Sequence, residues 1–293
     1  MKIQDLCYAT NVICLAEGLF GWRPITTETG DAMTEQIRFN DGAGYERFMG
    51  VWSRLAGEVF LDWLAPATKQ RWIDIGCGNG AFTDLIVSRC SPAEIHGVDP
   101  SPEQLAFARA RAMAVAAQFH QGDAMALPFP DNSFDIAVMA LVIFFVPDPA
   151  RGVAEMVRVV RPGGTVASYA WDFTGGGFPL EPLLVELRAL GMTTPRPPSA
   201  DAAQIDNLRA LWTAAGLRDV EAREITVQRS FADFDEFWSI SLLSPSTGAT
   251  LSTMAADDLA ALKAKVRARL SIDAAGRVTG TARANAIKGR RPE

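Results

Sequence analysis

The alternation of short apolar runs with helically spaced segments between Arg71 and Trp171 constrains this chain more than any other feature. "RWIDIG", "EIHGVD", "AAQFHQGD", "SFDIAVMALV" and "GGTVASYAW" are brief and apolar, bounded by turn or polar residues, and read as strands. "GAFTDLIVSRC", "SPEQLAFARARAMA" and "PARGVAEMVRVV" carry helical spacing. Ser101-Pro102 and Asp148-Pro149 each set a capping side chain before a proline suited to a first helical position. Strands alternating with helices imply parallel βαβ units with right-handed crossovers, because a parallel neighbour is reached only through a long connection.

The flanks read differently. Tyr45, Met49, Trp52, Ala56 and Phe60 follow helical spacing, and Pro66 closes that segment. After Asp172 come a glycine run at 175–177, read as a hinge, and the proline-rich connector "TTPRPPSAD". A helix "IDNLRALWTAAG" and a strand "VEAREITVQRSF" come next. Then come helices "FADFDEFWSISLL" and "DDLAALKAKVRARL" and a last strand "GRVTGTARANAIKG". Ser230 and Asp233 have capping-box-like spacing ahead of the stripe Phe231, Phe234 and Trp238, which reads as core or as the inner face of a lid. Residues 1–36 read as a poorly ordered N-terminal extension without a clear signal-cleavage site, and Met33 opens the stretch "MTEQIRFNDGAGYERFMG" that leads into the periodic sequence. Residues 37–293 read as one α/β domain with lid insertions near 173–200 and 231–270.

Composition narrows the function classes. The net charge of −6 lacks the basic footprint of a nucleic-acid binder, and the basic "IKGRRPE" reads as a solvated end. No run reaches membrane-span length. Cys7, Cys14, Cys77 and Cys90 show no metal-ligand spacing, so no metal is expected, and their pattern suits a reducing, cytoplasmic location.

The glycine loop "IDIGCGNGA" at 73–81 fits two templates: a dinucleotide turn that delivers pyrophosphate to a helix, and a G-x-G-x-G loop preceded by Asp74. Ligands of open parallel sheets bind beyond the carboxyl ends of the strands, so residues just after each strand decide. Asp99, after the second strand, can accept two ribose hydroxyls in either template. Asp123, after the third, suits an adenine amine, with the Ala124 N–H donating to a ring nitrogen. Asp74 beneath the loop would repel phosphates and attract an ammonium group. Adenine, ribose and a cationic amino-acid end together describe S-adenosyl-L-methionine.

"WIDIGCGNGAF", "GVDPS", "GDAMALPFPDNSFDIAV" and "RVVRPGG" resemble, in order and spacing, successive motifs of class I SAM-dependent methyltransferases, on the branch of the ubiquinone/menaquinone-biosynthesis C-methyltransferases. The resemblance spans roughly residues 45–172, and "AAGLRDVEAREI" is similar to that family's sixth strand. It implies a Rossmann-like, doubly wound sheet of seven strands, mostly parallel, with an antiparallel last strand. It also implies that Asp74, Gly76, Gly78, Asn79 and Gly80 hold the methionine part, Asp99 the ribose, and Asp123 and Ala124 the adenine, with Ala140 against the ligand.

Methyl transfer from a sulfonium is an in-line displacement, served mainly by proximity and orientation, that needs a base only when the acceptor must lose a proton. "ALVIFFVPDP" after the fourth strand is apolar, so the expected acceptor is a small apolar or aromatic molecule. Asp148 reads as a helix cap, leaving Asp172 as the acid candidate. His96 and His120 read as packing histidines, and Cys77 as a small buried residue. Tyr45, Trp52, Phe144, Trp171 and Trp238 are the candidate acceptor-pocket residues. Two other readings stand beside this one: a catalytically silent SAM-binding partner or regulator, and an NAD-dependent oxidoreductase.

Overall fold

The computed structural model describes residues 46–111, 115–192 and 194–293, so the expectations for residues 1–36 and for Tyr45 lie outside the described residues. A short π-helical turn (Glu46–Gly50) leads into α1 (Val51–Leu64), which stops at Ala65 in the left-handed conformation, one residue before Pro66. The alternating segment begins with β1 (Arg71–Ile75), α2 (Ala81–Cys90), β2 (Glu94–Asp99) and α3 (Pro102–Ala110). Next come β3 (Gln118–Gln121), β4 (Phe134–Ala140), α4 (Pro149–Val159) and β5 (Val160–Trp171). Both capping expectations hold: Ser101 Oγ accepts from Gln104 N at 3.2 Å, and Asp148 Oδ1 from Arg151 N at 3.1 Å. Such caps each contribute about 1 kcal/mol.

The second half comprises α5 (Glu181–Ala189), α6 (Ile205–Ala214), β6 (Arg218–Phe231), α7 (Phe234–Ser241), α8 (Pro245–Ser252), α9 (Ala256–Ala268), β7 (Ser271–Ile272) and β8 (Val278–Arg290). The sheet order is β3-β2-β1-β4-β5-β8-β6, parallel from β3 to β5, with β8 antiparallel to both β5 and β6. This is the doubly wound, Rossmann-like arrangement with an antiparallel last strand. Among the described residues the strand total is eight rather than seven, because Ser271 and Ile272 pair with the start of β8. Two residues carry too little periodicity to be read from sequence. Helix α8 is likewise absent from the sequence expectation; its "PSTGATLS" lacks an apolar stripe.

Three local readings shift register. The fourth strand ends at Ala140 rather than Val142, because Leu141 turns into positive φ (61°) and donates its N–H to Tyr169 O. The capping box lies at Asp233, whose Oδ1 takes the Glu236 N–H at 2.8 Å, not at Ser230. The basic terminus is not simply a solvated end. Arg291 donates to the Val157 and Arg158 carbonyls at 2.9 and 3.1 Å, where the last turn of α4 leaves acceptors unmet.

The core lies on both faces of the sheet. Trp72, Trp171, Tyr169 and Trp212 are fully buried, and Trp212 Nε1 donates to Val166 O at 3.0 Å. Each large apolar side chain removed from water contributes about 1.5–3 kcal/mol, so the sheet centre is the rigid frame on which the loops at its carboxyl edge are hung.

Candidate functional site

The carboxyl ends of β1, β2, β4 and β5 meet along one edge of the sheet. Between β1 and α2 the chain reverses through Gly76, Gly78 and Gly80, at φ of 73°, 53° and 81°. The N–H groups of Gly76 and Cys77 both bond Val98 O, at 2.7 and 3.0 Å, tying the loop to β2. A Cβ on Gly76 would stand 2.5 Å from the Val142 methyls, whereas one on Gly78 would meet nothing nearer than Gln104 Oε1 at 4.0 Å. The loop is thus wedged at its base and open at its crest. Gly76→Ala is expected to cost about 2–4 kcal/mol, from left-handed strain plus overpacking, and a lowered Tm in thermal denaturation checks it.

Two acids flank the loop. Asp99, at the end of β2, accepts from Gly78 N through Oδ2 and from Ser101 N through Oδ1, both at 2.9 Å. Burial pushes its carboxyl up, against the lowering effect of those two bonds. A carboxylate offers about four acceptor sites, so each oxygen keeps one for a further donor. Asp74, in β1, is buried; its Oδ2 accepts from Thr83 Oγ1 at 2.7 Å, and its Oδ1 has no partner. Burial lifts its pKa to about 7; the Thr83 bond opposes this and the Asp99 charge adds to it.

The other cofactor candidates lie in the loop itself and at or just beyond the carboxyl ends of β3 and β4. Asn79 spends its side chain on the loop itself, with Oδ1 accepting Ala81 N and Nδ2 donating to Glu46 Oε2 at 3.1 Å. Arg111 closes that clasp, bonding Asn79 O, Glu46 Oε2 and Asp84 Oδ2. Exposed Asp123 forms a tight turn, accepting Met125 N through Oδ1 at 2.8 Å, with half-buried Ala124 beside it. Ala140 is half-buried at the last position of β4. The residues suit an adenosyl amino acid on two observations. The buried Asp74 Oδ1 lacks a partner, and the crest at Gly78 leaves open a cradle that a side chain would fill.

Beside this edge, past Leu141, lies a cavity of about 420 Å³. Its walls include Phe48, Met49, Phe144, Trp171, Phe173 and Phe178, and its rim Arg188 and Arg196. Phe144 and Trp171 both line this cavity. Trp52 and Trp238 do not line it: Trp52 packs on Phe231 and Gly280, and Trp238 on Phe234 and Lys263. Both are buried among core side chains rather than at the cavity. Phe48, Phe173, Phe178 and Met192 also line it, and for Phe173, Phe178 and Met192 their apolar character in a glycine- and proline-rich region was the available signal.

Asp172 is corrected as an acid candidate. Its Oδ2 pairs with Arg283 at 2.6 Å, and its Oδ1 takes the Gly175 N–H at 2.8 Å. The Asp172 carbonyl takes Gly177 N, and Arg283 also bonds Gly175 O. The glycine run is therefore a pinned knot rather than a hinge; a Cβ on Gly177 would stand 2.5 Å from Arg283 O. Asp172→Asn is expected to lower stability by about 2 kcal/mol, between exposed and buried pairs, while leaving ligand binding at the glycine loop unchanged by calorimetry.

The remaining candidates are structural. His96 Nδ1 lies 2.8 Å from His120 Nε2, and His96 Nε2 lies 2.6 Å from Glu94 Oε1, among Phe129 and Phe134. Burial pushes the Cys77 thiol well up, which removes it as a nucleophile. Among the described residues no helix is long and apolar enough to cross a membrane.

Comparison with known proteins agrees with this geometry. Residues 73–168, from β1 into β5, match the family model described as a methyltransferase domain. The chain is 32% identical over 153 residues to the ubiquinone/menaquinone biosynthesis C-methyltransferase UbiE of Dinoroseobacter shibae, covering 50% of this chain and 61% of that one. Over 107 residues it is 42% identical to the chloroplastic 2-methyl-6-phytyl-1,4-hydroquinone methyltransferase 2 of Oryza sativa subsp. japonica, covering 35% and 31% of the two chains. The chain thus spans less than two thirds of either relative. In fold it is similar to the YcgJ protein of Bacillus subtilis, with a TM-score of 0.53 at 18% identity over 81% of this chain and 98% of that one.

Proposed function

From a chain that carries a methyltransferase domain and resembles the class I SAM-dependent methyltransferases, we propose methyl transfer from S-adenosyl-L-methionine to a small apolar or aromatic acceptor. The observation that carries this reading is the pairing of an open glycine crest and an unpartnered buried Asp74 oxygen with an adjoining aromatic cavity. Asp74 would hold the ammonium group, Asp99 the ribose hydroxyls, Asp123 the adenine amine, and the Ala124 N–H a ring nitrogen. Gly76, Gly78 and Gly80 let the backbone approach the amino-acid part closely, Asn79 keeps the loop clasped, and Ala140 leaves room at the end of β4.

S-Adenosyl-L-methionine, when bound, supplies a methyl group activated by a sulfonium. The protein's own contribution is placement and dryness. Phe144 and Leu141 set the acceptor beside the glycine-loop edge, and Phe48, Met49 and Phe173 close water out. Holding two reactants near attack distance lowers a barrier by up to about 7–11 kcal/mol, enough to make proximity the main catalytic term. Calorimetric titration with S-adenosylhomocysteine tests the reading. A saturable micromolar heat is expected, and its absence with folded protein overturns the proposal.

A further inference from the structure

One short turn touches both parts of the site. The π-helical turn Glu46–Gly50 begins with an exposed acid and continues into buried side chains. Glu46 Oε2 accepts from Asn79 Nδ2 at 3.1 Å and from Arg111 Nη2 at 2.7 Å, which fastens the turn to the glycine loop. Arg111 adds a second tie, donating to the Asn79 carbonyl at 2.6 Å and to Asp84 Oδ2 at 3.1 Å. Within the same turn, Phe48 and Met49 are buried and line the aromatic cavity. Glu46 itself is not among the described lining residues.

The turn is also held from the edge strand of the sheet. Arg229, on β6, donates from Nη1 to the Arg47 and Phe48 carbonyls at 3.2 and 3.1 Å. Of these two anchors, that of Glu46 leads to the glycine loop. Gly50 leaves room for it: a Cβ there would stand 2.7 Å from Glu46 Cδ, although the backbone at Gly50 is helical and open to any residue (φ −57°). A packed helical turn has little slack, so a displaced Glu46 carries Phe48 and Met49 with it.

We propose that Glu46 is a positioning residue that couples the two parts of the site, setting Phe48 and Met49 in the cavity wall according to the state of the glycine loop. A ligand on the loop crest restrains Asn79, whose side-chain amide and carbonyl both belong to the clasp, so less ordering remains when the cavity fills. Linkage makes the effect reciprocal. This deepens the methyltransferase reading and rests on it only for which ligand occupies the loop.

The test uses the full chain, with the neutral apolar fluorophore N-phenyl-1-naphthylamine as cavity probe and S-adenosylhomocysteine as loop ligand. Leu184→Arg, which puts a charge on the cavity wall, is expected to abolish the fluorophore signal and so to place it. Glu46→Ala removes the carboxylate, and Gly50→Ala keeps but displaces it. Each is expected to weaken the fluorophore about fivefold in the absence of loop ligand, the scale of one partly exposed ion pair. Glu46→Gln, which keeps an acceptor oxygen, should recover part of that loss. In wild type, saturating S-adenosylhomocysteine is expected to tighten the fluorophore about fivefold, and in Glu46→Ala that factor should fall to about one. A lowered Tm with unchanged fluorophore affinity in Glu46→Ala and Gly50→Ala makes the clasp merely structural and overturns the proposal. So does a signal that survives Leu184→Arg, or a wild type in which bound S-adenosylhomocysteine leaves the fluorophore unaffected. No heat with S-adenosylhomocysteine, beside weakened fluorophore binding in both variants, sinks the methyltransferase reading and leaves the positioning role of Glu46 standing.

Discussion

Asp99→Ala is expected to weaken S-adenosylhomocysteine binding by about 10²–10⁴-fold, the loss of two hydrogen bonds to a charged acceptor at about 1.5–3 kcal/mol each. Asp99 holds Gly78 N and Ser101 N through different oxygens, so each oxygen keeps a lone pair for one ribose hydroxyl. Removing the side chain also strips the loop crest of its acceptor, and the expected fall in Tm is a separate readout. Asp99→Asn separates the two effects. It keeps one acceptor oxygen, so the melting temperature recovers in part while binding stays well below wild type. Titration calorimetry on both variants checks this; wild-type affinity in Asp99→Ala would remove the residue from the ribose role.

Asp74→Asn is expected to change the pH dependence of stability. The folded protein keeps the Asp74 proton up to about pH 7, whereas the unfolded chain releases it near the ordinary value of 3.8. Between those values the native state binds more protons, so stability falls as pH rises through that window. A rise from 3.8 to about 7 corresponds to about 4 kcal/mol lost by pH 8. Denaturant unfolding of wild type should show that decline, and Asp74→Asn should flatten it and be more stable than wild type at pH 8. The same substitution is expected to weaken S-adenosylhomocysteine, because a neutral amide cannot pair an ammonium group. In wild type the affinity should rise with pH toward 7 and level off above it, as the incoming cation finds the carboxylate already ionised. Affinity independent of pH from 5 to 8 would take Asp74 out of the ammonium role.

The glycine loop and its two flanking acids were legible because the signals are local. Gly76, Gly78 and Gly80 announce positive φ by residue type, and Asp74 stands one residue before the end, and Asp99 at the end, of apolar runs whose length marks strands. Ser101 and Asp148 announce helix starts for the same reason, since a cap and its N–H partner lie three residues apart. Asp172 is misread from sequence because its partner, Arg283, lies on β8, and no spacing relates an acid to a cation that distant in the chain. Trp52 and Trp238 show the matching problem for apolar residues: helical spacing reveals a stripe but not whether it faces a sheet or a cavity.

The amino-acid sequence by itself determined the βαβ alternation, the turn at the glycine loop and the positions of the acids that flank it, because period, capping and backbone strain act over a few residues. Only the tertiary structure decided which side chains became unavailable and which were left unmet. Arg283 paired with Asp172, packing buried Trp52 and Trp238, and Asp74 was buried with one oxygen unsatisfied. Those outcomes depend on charge pairing and exclusion of water between segments far apart in the chain. They come into being only when β8 and the segment after β5 close on the sheet.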